Sequence, residues 1–288
     1  MTLSSFQIVK RKNRTSNYNI SHLTKNSAHT TPFPNERPQY IPSYINAFFV
    51  GDRSGSMLSM GSAPQEGVVE FITNYKELAE NNPHSTIYVT IITFDKTSHT
   101  AYSGLANDIT QSITNDIYNS MIPRSTTRLF DTAIEAILEQ QNQLTKYVDD
   151  FNKKHSEIVS LGPNMASSFT LLTDGDDNES STTSFDLKTL VSEHEKLYNT
   201  SCLFAAANQD ALLSGTNYGF SQNNSLQIGS NEDDARAAFR SCTQASIRSA
   251  TNERSGYNQA EREQSCSMDI YDNYHDYQDH YGVQPCRY

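Results

Sequence analysis

Three separated stretches of this sequence carry oxygen-bearing side chains at spacings that suit one hard cation. Asp52-Arg-Ser54-Gly-Ser56 offers a carboxylate and two hydroxyls at alternate positions, and Gly55 permits the tight backbone path that aims all three at one point. Ser125-Thr-Thr127-Arg-Leu-Phe-Asp131 offers hydroxyls just ahead of a long helical pattern, and Thr173-Asp174-Gly175-Asp176 offers a further carboxylate. Such oxygens select Mg²⁺, Mn²⁺ or Ca²⁺ over softer metals. Each stretch alone has a plainer explanation. Asp-x-Ser-x-Ser also makes Asx-turns and caps, Thr127 also suits a helix N-cap, and Asp-Gly after a strand is often only a turn. The combination, in this order, points to a bound metal ion.

The elements around these stretches explain how they would meet. The apolar run 45–50 predicts a strand that ends at Gly51-Asp52. Val68, Val69, Phe71, Ile72, Tyr75, Leu78 and Ala79 recur at helical spacing until Asn81-Asn82-Pro83 stops them. The run 86–94 is dense in β-branched and aromatic residues, as a strand covered on both faces should be. A short strand near 97–102, a helix near 109–117 and a long helix from Leu129 to about Phe151 follow. The run 169–173 is a strand leading into Asp174-Gly175. A helix over Leu187–Leu197, strands at 202–207 and 226–228, and a last helix over 233–246 complete the pattern. Alternating strands and helices predict an α/β fold, a Rossmann-like doubly wound, mainly parallel sheet with helices on both faces. In such a sheet ligands bind outside the carboxyl ends of the strands, where all three stretches would converge.

At this point the sequence resembles the von Willebrand factor A (VWA) domain family, of the intracellular and microbial type. The three stretches are similar to its metal-ion-dependent adhesion site: Asp-x-Ser-x-Ser, a later Thr and a later Asp. The resemblance runs from about Asn46 to Ala250. Thr127-Arg-Leu-Phe-Asp131, Ala206-Ala-Asn208-Gln-Asp210 and Ala237-Ala-Phe239-Arg-Ser241 also resemble family stretches. Carried over by position, it implies that Ser54, Ser56 and Thr127 supply hydroxyl oxygens and that Asp52 and Asp174 act directly or through water. One departure is Ser125-Thr126, where Gly-Gly is usual. Thr126 is therefore the alternative ligand, while Thr127 keeps the spacing to Leu129 and Asp131.

The family's usual mode implies a function. A divalent cation holds about six oxygens, so a site of two carboxylates and three hydroxyls leaves a coordination position open. An Asp or Glu of another protein would fill it. Metal-assisted hydrolysis is the weaker expectation, because it needs a general base. Asp176, Asp177 and Glu179 lie near Asp174, but they also read as a solvated acidic loop. No phosphate loop, His-Glu-x-x-His or Gly-x-Ser-x-Gly motif occurs, so the chain is expected not to be an enzyme.

The rest of the chain bounds this reading. Of its 288 residues 36% are hydrophobic, the net charge is −11 and the mean hydropathy is −0.63. An acidic body argues against general binding to nucleic acid or anionic membranes. Residues 1–40 carry six basic residues against Glu36 alone, a surplus of +5 that leaves −16 on the remainder. Residues 1–43 therefore read as a basic polar arm, residues 44–250 as the VWA domain, and residues 251–288 as an acidic, tyrosine-rich tail of low complexity. The arm allows at most weak nucleic-acid contact. Its tail counterpart supports a second expectation, an assembly protein, of a virion or another large complex, that works through both ends. Four widely spaced cysteines without a CxxC pair, no signal-peptide pattern and no membrane-length apolar run predict a cytoplasmic protein without membrane contact, a virion being the alternative setting.

Overall fold

The structure is a computed structural model that describes residues 41–154, 164–207, 210–229, 231–251 and 256–266. All of them lie in one compact unit, Tyr40–Tyr288. Nearly all of the expected basic arm, and the tyrosine-rich end from residue 271, fall outside the described residues.

Six strands form one sheet in the order β3-β2-β1-β4-β5-β6. They are β1 (Tyr44–Asp52), β2 (Thr86–Phe94), β3 (Ser98–Leu105), β4 (Met165–Thr173), β5 (Thr200–Ala206) and β6 (Ser225–Gln227). All neighbours pair in parallel except β2 with β3. The expected α/β architecture is therefore the observed one. β1 is buried at every position because helices cover both faces. Its alternation splits the core: Ile45, Ala47 and Phe49 join one cluster, while Phe48 and Val50 join the other. The first cluster lies under α1 (Ala63–Asn81), α2 (Gln111–Ser120) and α6 (Glu232–Ala250). The second lies under α3 (Leu129–Lys154), α4 (Ser184–Tyr198) and α5 (Ala211–Tyr218). The chain winds outward from β1 in both directions, so the β1/β4 boundary is the switch point where such sheets open a crevice.

One boundary moves. Residues 256–266, which the composition assigns to the polar tail, pack against the body, and α7 (Gln259–Ser265) forms within them. Tyr257 and Glu261 are buried. Glu261 accepts from both Arg248 Nη atoms, at 2.7 and 2.8 Å, and the Gly229 amide donates to the Ser265 carbonyl at 2.7 Å. A stretch with few aliphatic residues folds here because one ring and one buried ion pair anchor it, a pattern that hydrophobic periodicity does not register.

Candidate metal centre

β1 and β4 lie side by side with Gly51 opposite Leu172, so their last residues deliver Asp52 and Asp174 to the same rim. After Asp52 the chain turns at once into a 3-10 helix over Gly55–Met60, which brings Ser54 and Ser56 back over the strand end. Asp52 Oδ1 accepts the Ser54 amide at 2.6 Å, the Asx-type contact that tightens the loop. The Ser54 and Ser56 hydroxyls lie 3.0 Å apart, and Ser56 donates to Asp174 Oδ1 at 2.7 Å. Four of the five expected ligands are therefore joined in one run of hydrogen bonds across the β1/β4 boundary, through the Ser54 amide at the first link and through an oxygen chain of the Ser54 and Ser56 hydroxyls and the Asp174 carboxylate at the others.

Thr127 arrives by a different route. The Gly55 amide donates to the Ser125 carbonyl at 2.9 Å, which docks the 124–127 loop on the Asp52 loop. The Thr127 amide donates to Asn178 Oδ1 at 2.9 Å, and the Thr127 carbonyl accepts the amides of Asn178 and Glu179. The backbone of Thr127 thus bridges the first and third stretches, while its hydroxyl stands outside the oxygen chain. Thr127 is buried and Thr126 exposed. Ser125, next to them, has a φ of 65°, the left-handed region where glycine is at ease, at the place where the resembling family has glycine.

The plainer role for Thr127, capping α3, is already filled. Asp177 Oδ1 accepts the Leu129 amide at 2.7 Å and the Phe130 amide at 3.3 Å, and Ser180 Oγ accepts the Asp131 amide at 3.0 Å. Asp177 is therefore neither a solvated acid nor a free base; its carboxylate holds the front of α3. Asp131 returns the favour, accepting the amides of Ser181 and Thr182. Burial alone would raise its carboxyl, but these bonds hold it far below the ordinary range. The sequence pattern Thr-x-Leu-Phe-Asp marks Asp131, yet nothing in the spacing showed that residues 177 and 180–182 would be its partners.

Electrostatics at the oxygen chain run the other way. Burial pushes the Asp52 carboxyl up to about 6, despite bonds from Thr173 and Ser54, and the Asp174 charge adds to the rise. Thr173 Oγ1 donates to Asp52 Oδ2 at 2.7 Å and fixes its orientation. Burial likewise raises Asp174. Two desolvated carboxylates that disfavour their own charge would be complemented by a cation between them. Among the described residues no group of three His, Cys, Asp or Glu is placed to hold a metal. The donors gathered here are two carboxylates with hydroxyls, which fits a hard divalent ion and no soft one.

No protein-family model matches the chain. No curated protein sequence matches it. Asp52 ends β1, Thr127 precedes α3 and Asp174 follows the last residue of β4. Solved structures to which this chain is similar include a von Willebrand factor type A protein from Catenulispora acidiphila, at 13% identity and a TM-score of 0.43 over 72% of this chain and 43% of that one. The vWF domain of the type V pili tip protein Mfa5 from Porphyromonas gingivalis aligns at 10% identity and 0.46, over 71% of this chain and 95% of that one. Proximal thread matrix protein 1 from the mussel byssus, with a zinc-occupied metal-ion-dependent adhesion site, aligns at 15% identity and 0.45, over 70% and 47%. The chain spans less than half the length of the first and the third of these. The likeness is one of fold, and what those proteins bind is theirs.

Proposed function

We propose that this chain is a divalent-metal-dependent protein-binding module. Asp52, Ser54, Ser56, Thr127 and Asp174 hold one Mg²⁺, Mn²⁺ or Ca²⁺ ion, and the partner presents an Asp or Glu. The observation that carries this is the hydrogen-bonded run that joins Asp52 to the Ser54 amide, the Ser54 hydroxyl to that of Ser56, and Ser56 to Asp174, across the ends of two strands more than a hundred residues apart. When bound, the cation supplies a Lewis-acidic contact to one carboxylate oxygen of the partner.

The chain's own residues do the rest. Asp52 and Asp174 together offset a divalent charge, so the filled site is close to neutral and a further carboxylate can approach. Thr173 keeps Asp52 in one orientation, and the bonds of Thr127 to Asn178 and Glu179 keep the second loop against the third. Ser56 and Thr126 are exposed, which leaves the rim open to a visitor. The acidic body opposes an acidic partner at long range, but screening over about 8 Å at physiological salt leaves short-range coordination in charge.

Binding suits the site better than turnover does. Of the three carboxylates that might act as a base, Asp177 is committed to the amides of α3. Asp176 and Glu179 are exposed to solvent. No helix among the described residues is long and apolar enough to cross a membrane.

A calorimetric titration of Mg²⁺ and of Mn²⁺ into EDTA-stripped protein tests the reading. One site per chain is expected, lost in Asp174→Ala and in Ser56→Ala with circular dichroism unchanged. Free metal at a hundred times its Kd should add about 2.7 kcal/mol of stability. An absence of uptake by the wild type would end the proposal.

A further inference from the structure

The Asp52 loop has a second side. Asp52 turns toward Thr173. Arg53, the next residue, turns the opposite way and is only 4% exposed. Its Nε donates to Asp95 Oδ2 at 3.2 Å and its Nη1 to the Ser120 carbonyl at 2.9 Å. Arg124 donates from Nε to the same Asp95 oxygen at 2.7 Å. The other oxygen of Asp95 is taken by the amide and hydroxyl of Thr97. Two guanidiniums therefore share one carboxylate, and the cluster keeps a positive charge in a chain whose net charge is −11.

The surplus has somewhere to act. A guanidinium offers five N–H donors. Among the described residues Arg53 uses two and Arg124 one. Arg124 is 61% exposed at its side chain, so its planar outer edge faces water. Both line an open hollow of about 700 Å³ between β3 and the C-terminal half of α2, together with Thr97, His99, Asn119 and Asp116. Asp116 brings one opposing charge, on an exposed side chain where solvent screens it. The hollow is open to solvent, so an exposed anionic side chain of a partner can reach the guanidinium edges. β3 pairs with β2 alone among the described strands, and its residues 98–101 line the hollow.

We propose that this hollow is an anion site, which takes a carboxylate or phosphoryl group of a partner protein on the guanidinium edges of Arg53 and Arg124. The planar fork matches two oxygens of either group. A buried guanidinium that has only a share in one counter-ion gains from a second one. The site uses no metal ligand and works with the rim empty of cation, so it stands or falls apart from the function proposed above.

The test uses the full chain, labelled with ¹⁵N and kept in EDTA. It reads the Nε–Hε resonances of Arg53 and Arg124 and the amides of Thr97 and His99. One arm titrates the capped tripeptide acetyl-Asp-Glu-Asp-amide, and the other inorganic phosphate. Saturable shifts at these resonances are expected in one arm or both, with at least tenfold weaker binding in Arg124→Gln, whose circular dichroism stays native because Arg53 and Thr97 still hold Asp95. Saturation by the tripeptide alone assigns carboxylate, by phosphate alone phosphoryl, and by both the oxyanion class. Saturation in neither arm, or equal affinity in Arg124→Gln and wild type, overturns the proposal.

Discussion

Single side chains decide which oxygens the rim can offer. Asp52, Ser54, Ser56 and Asp174 hold one another in place, whereas Thr127 is placed only by its backbone. Among the described residues no hydrogen bond ties its hydroxyl into the fold, and its loss should be felt in binding and hardly in folding. Thr127→Ala is expected to weaken Mg²⁺ binding roughly tenfold or more, while Thr126→Ala, at an exposed position, leaves the affinity within about twofold on the same scale. Calorimetry on the two variants checks this, and the reverse order would move the ligand to Thr126. The choice between them was open in the sequence, because both are threonines in one loop. Burial and the engagement of the 127 backbone by Asn178 and Glu179 favour Thr127. Ser125 shows the cost of the departure from Gly-Gly: a left-handed serine is strained by about 1 kcal/mol. The bond from the Gly55 amide to its carbonyl holds it there.

Elements set where those side chains can stand. The front of α3 is capped from a different loop, by Asp177 and Ser180, so helix and rim are one mechanical unit. Asp177→Ala should cost about 1–2 kcal/mol in denaturant unfolding, the worth of a helix cap. It should also lower Mg²⁺ affinity, since the 176–179 loop, whose Asn178 and Glu179 hold the Thr127 backbone, loses its anchor. An unchanged Mg²⁺ titration would separate the cap from the site. Strand β4 begins four residues earlier than its apolar run implies, because Ser167 and Ser168 are polar yet buried. Ser167 pairs with Thr200 at 2.7 Å, and Ser168 meets the hydroxyls of Tyr75 and Ser246 at 3.1 and 2.8 Å. Such partners lie far away in sequence, so no local pattern announces them. α7 teaches the same lesson at the other end. If residues 256–266 were a solvated tail, Tyr257→Ala would be neutral. With the ring buried and its hydroxyl 3.3 Å from Cys242 Sγ, the loss should be about 3–5 kcal/mol by thermal or chemical unfolding.

The whole molecule answers to pH through His194. Its Nε2 lies 2.8 Å from Gln140 Oε1, and Gln140 Nε2 donates to the carbonyl oxygens of Asn46 and Ser168. One network therefore ties α3 and α4 to β1 and β4. Burial holds the imidazole down to about 4, below its unfolded value of 6.5. Between those values the unfolded chain binds a proton that the native fold refuses. This contribution is fully present above pH 6.5 and drains away as pH falls toward 4, by about 3 kcal/mol in all. The raised Asp52 carboxyl contributes in the opposite sense over the same range, so that loss should appear as the difference between wild type and His194→Gln in denaturant unfolding at pH 7.5 and 4.5. At this scale the division between sequence and structure is plain. The sequence by itself determined the alternation of strands and helices, the parallel sheet and the three oxygen-bearing stretches, because each is written in local periodicity and in motifs of a few residues. Only the tertiary structure decided that Asp177 caps α3, that Asp95 is shared by Arg53 and Arg124, and that residues 256–266 belong to the body. Those are pairings between side chains tens of residues apart, and which polar group meets which is fixed only when the sheet brings distant loops to one rim and desolvation makes an unmet partner costly.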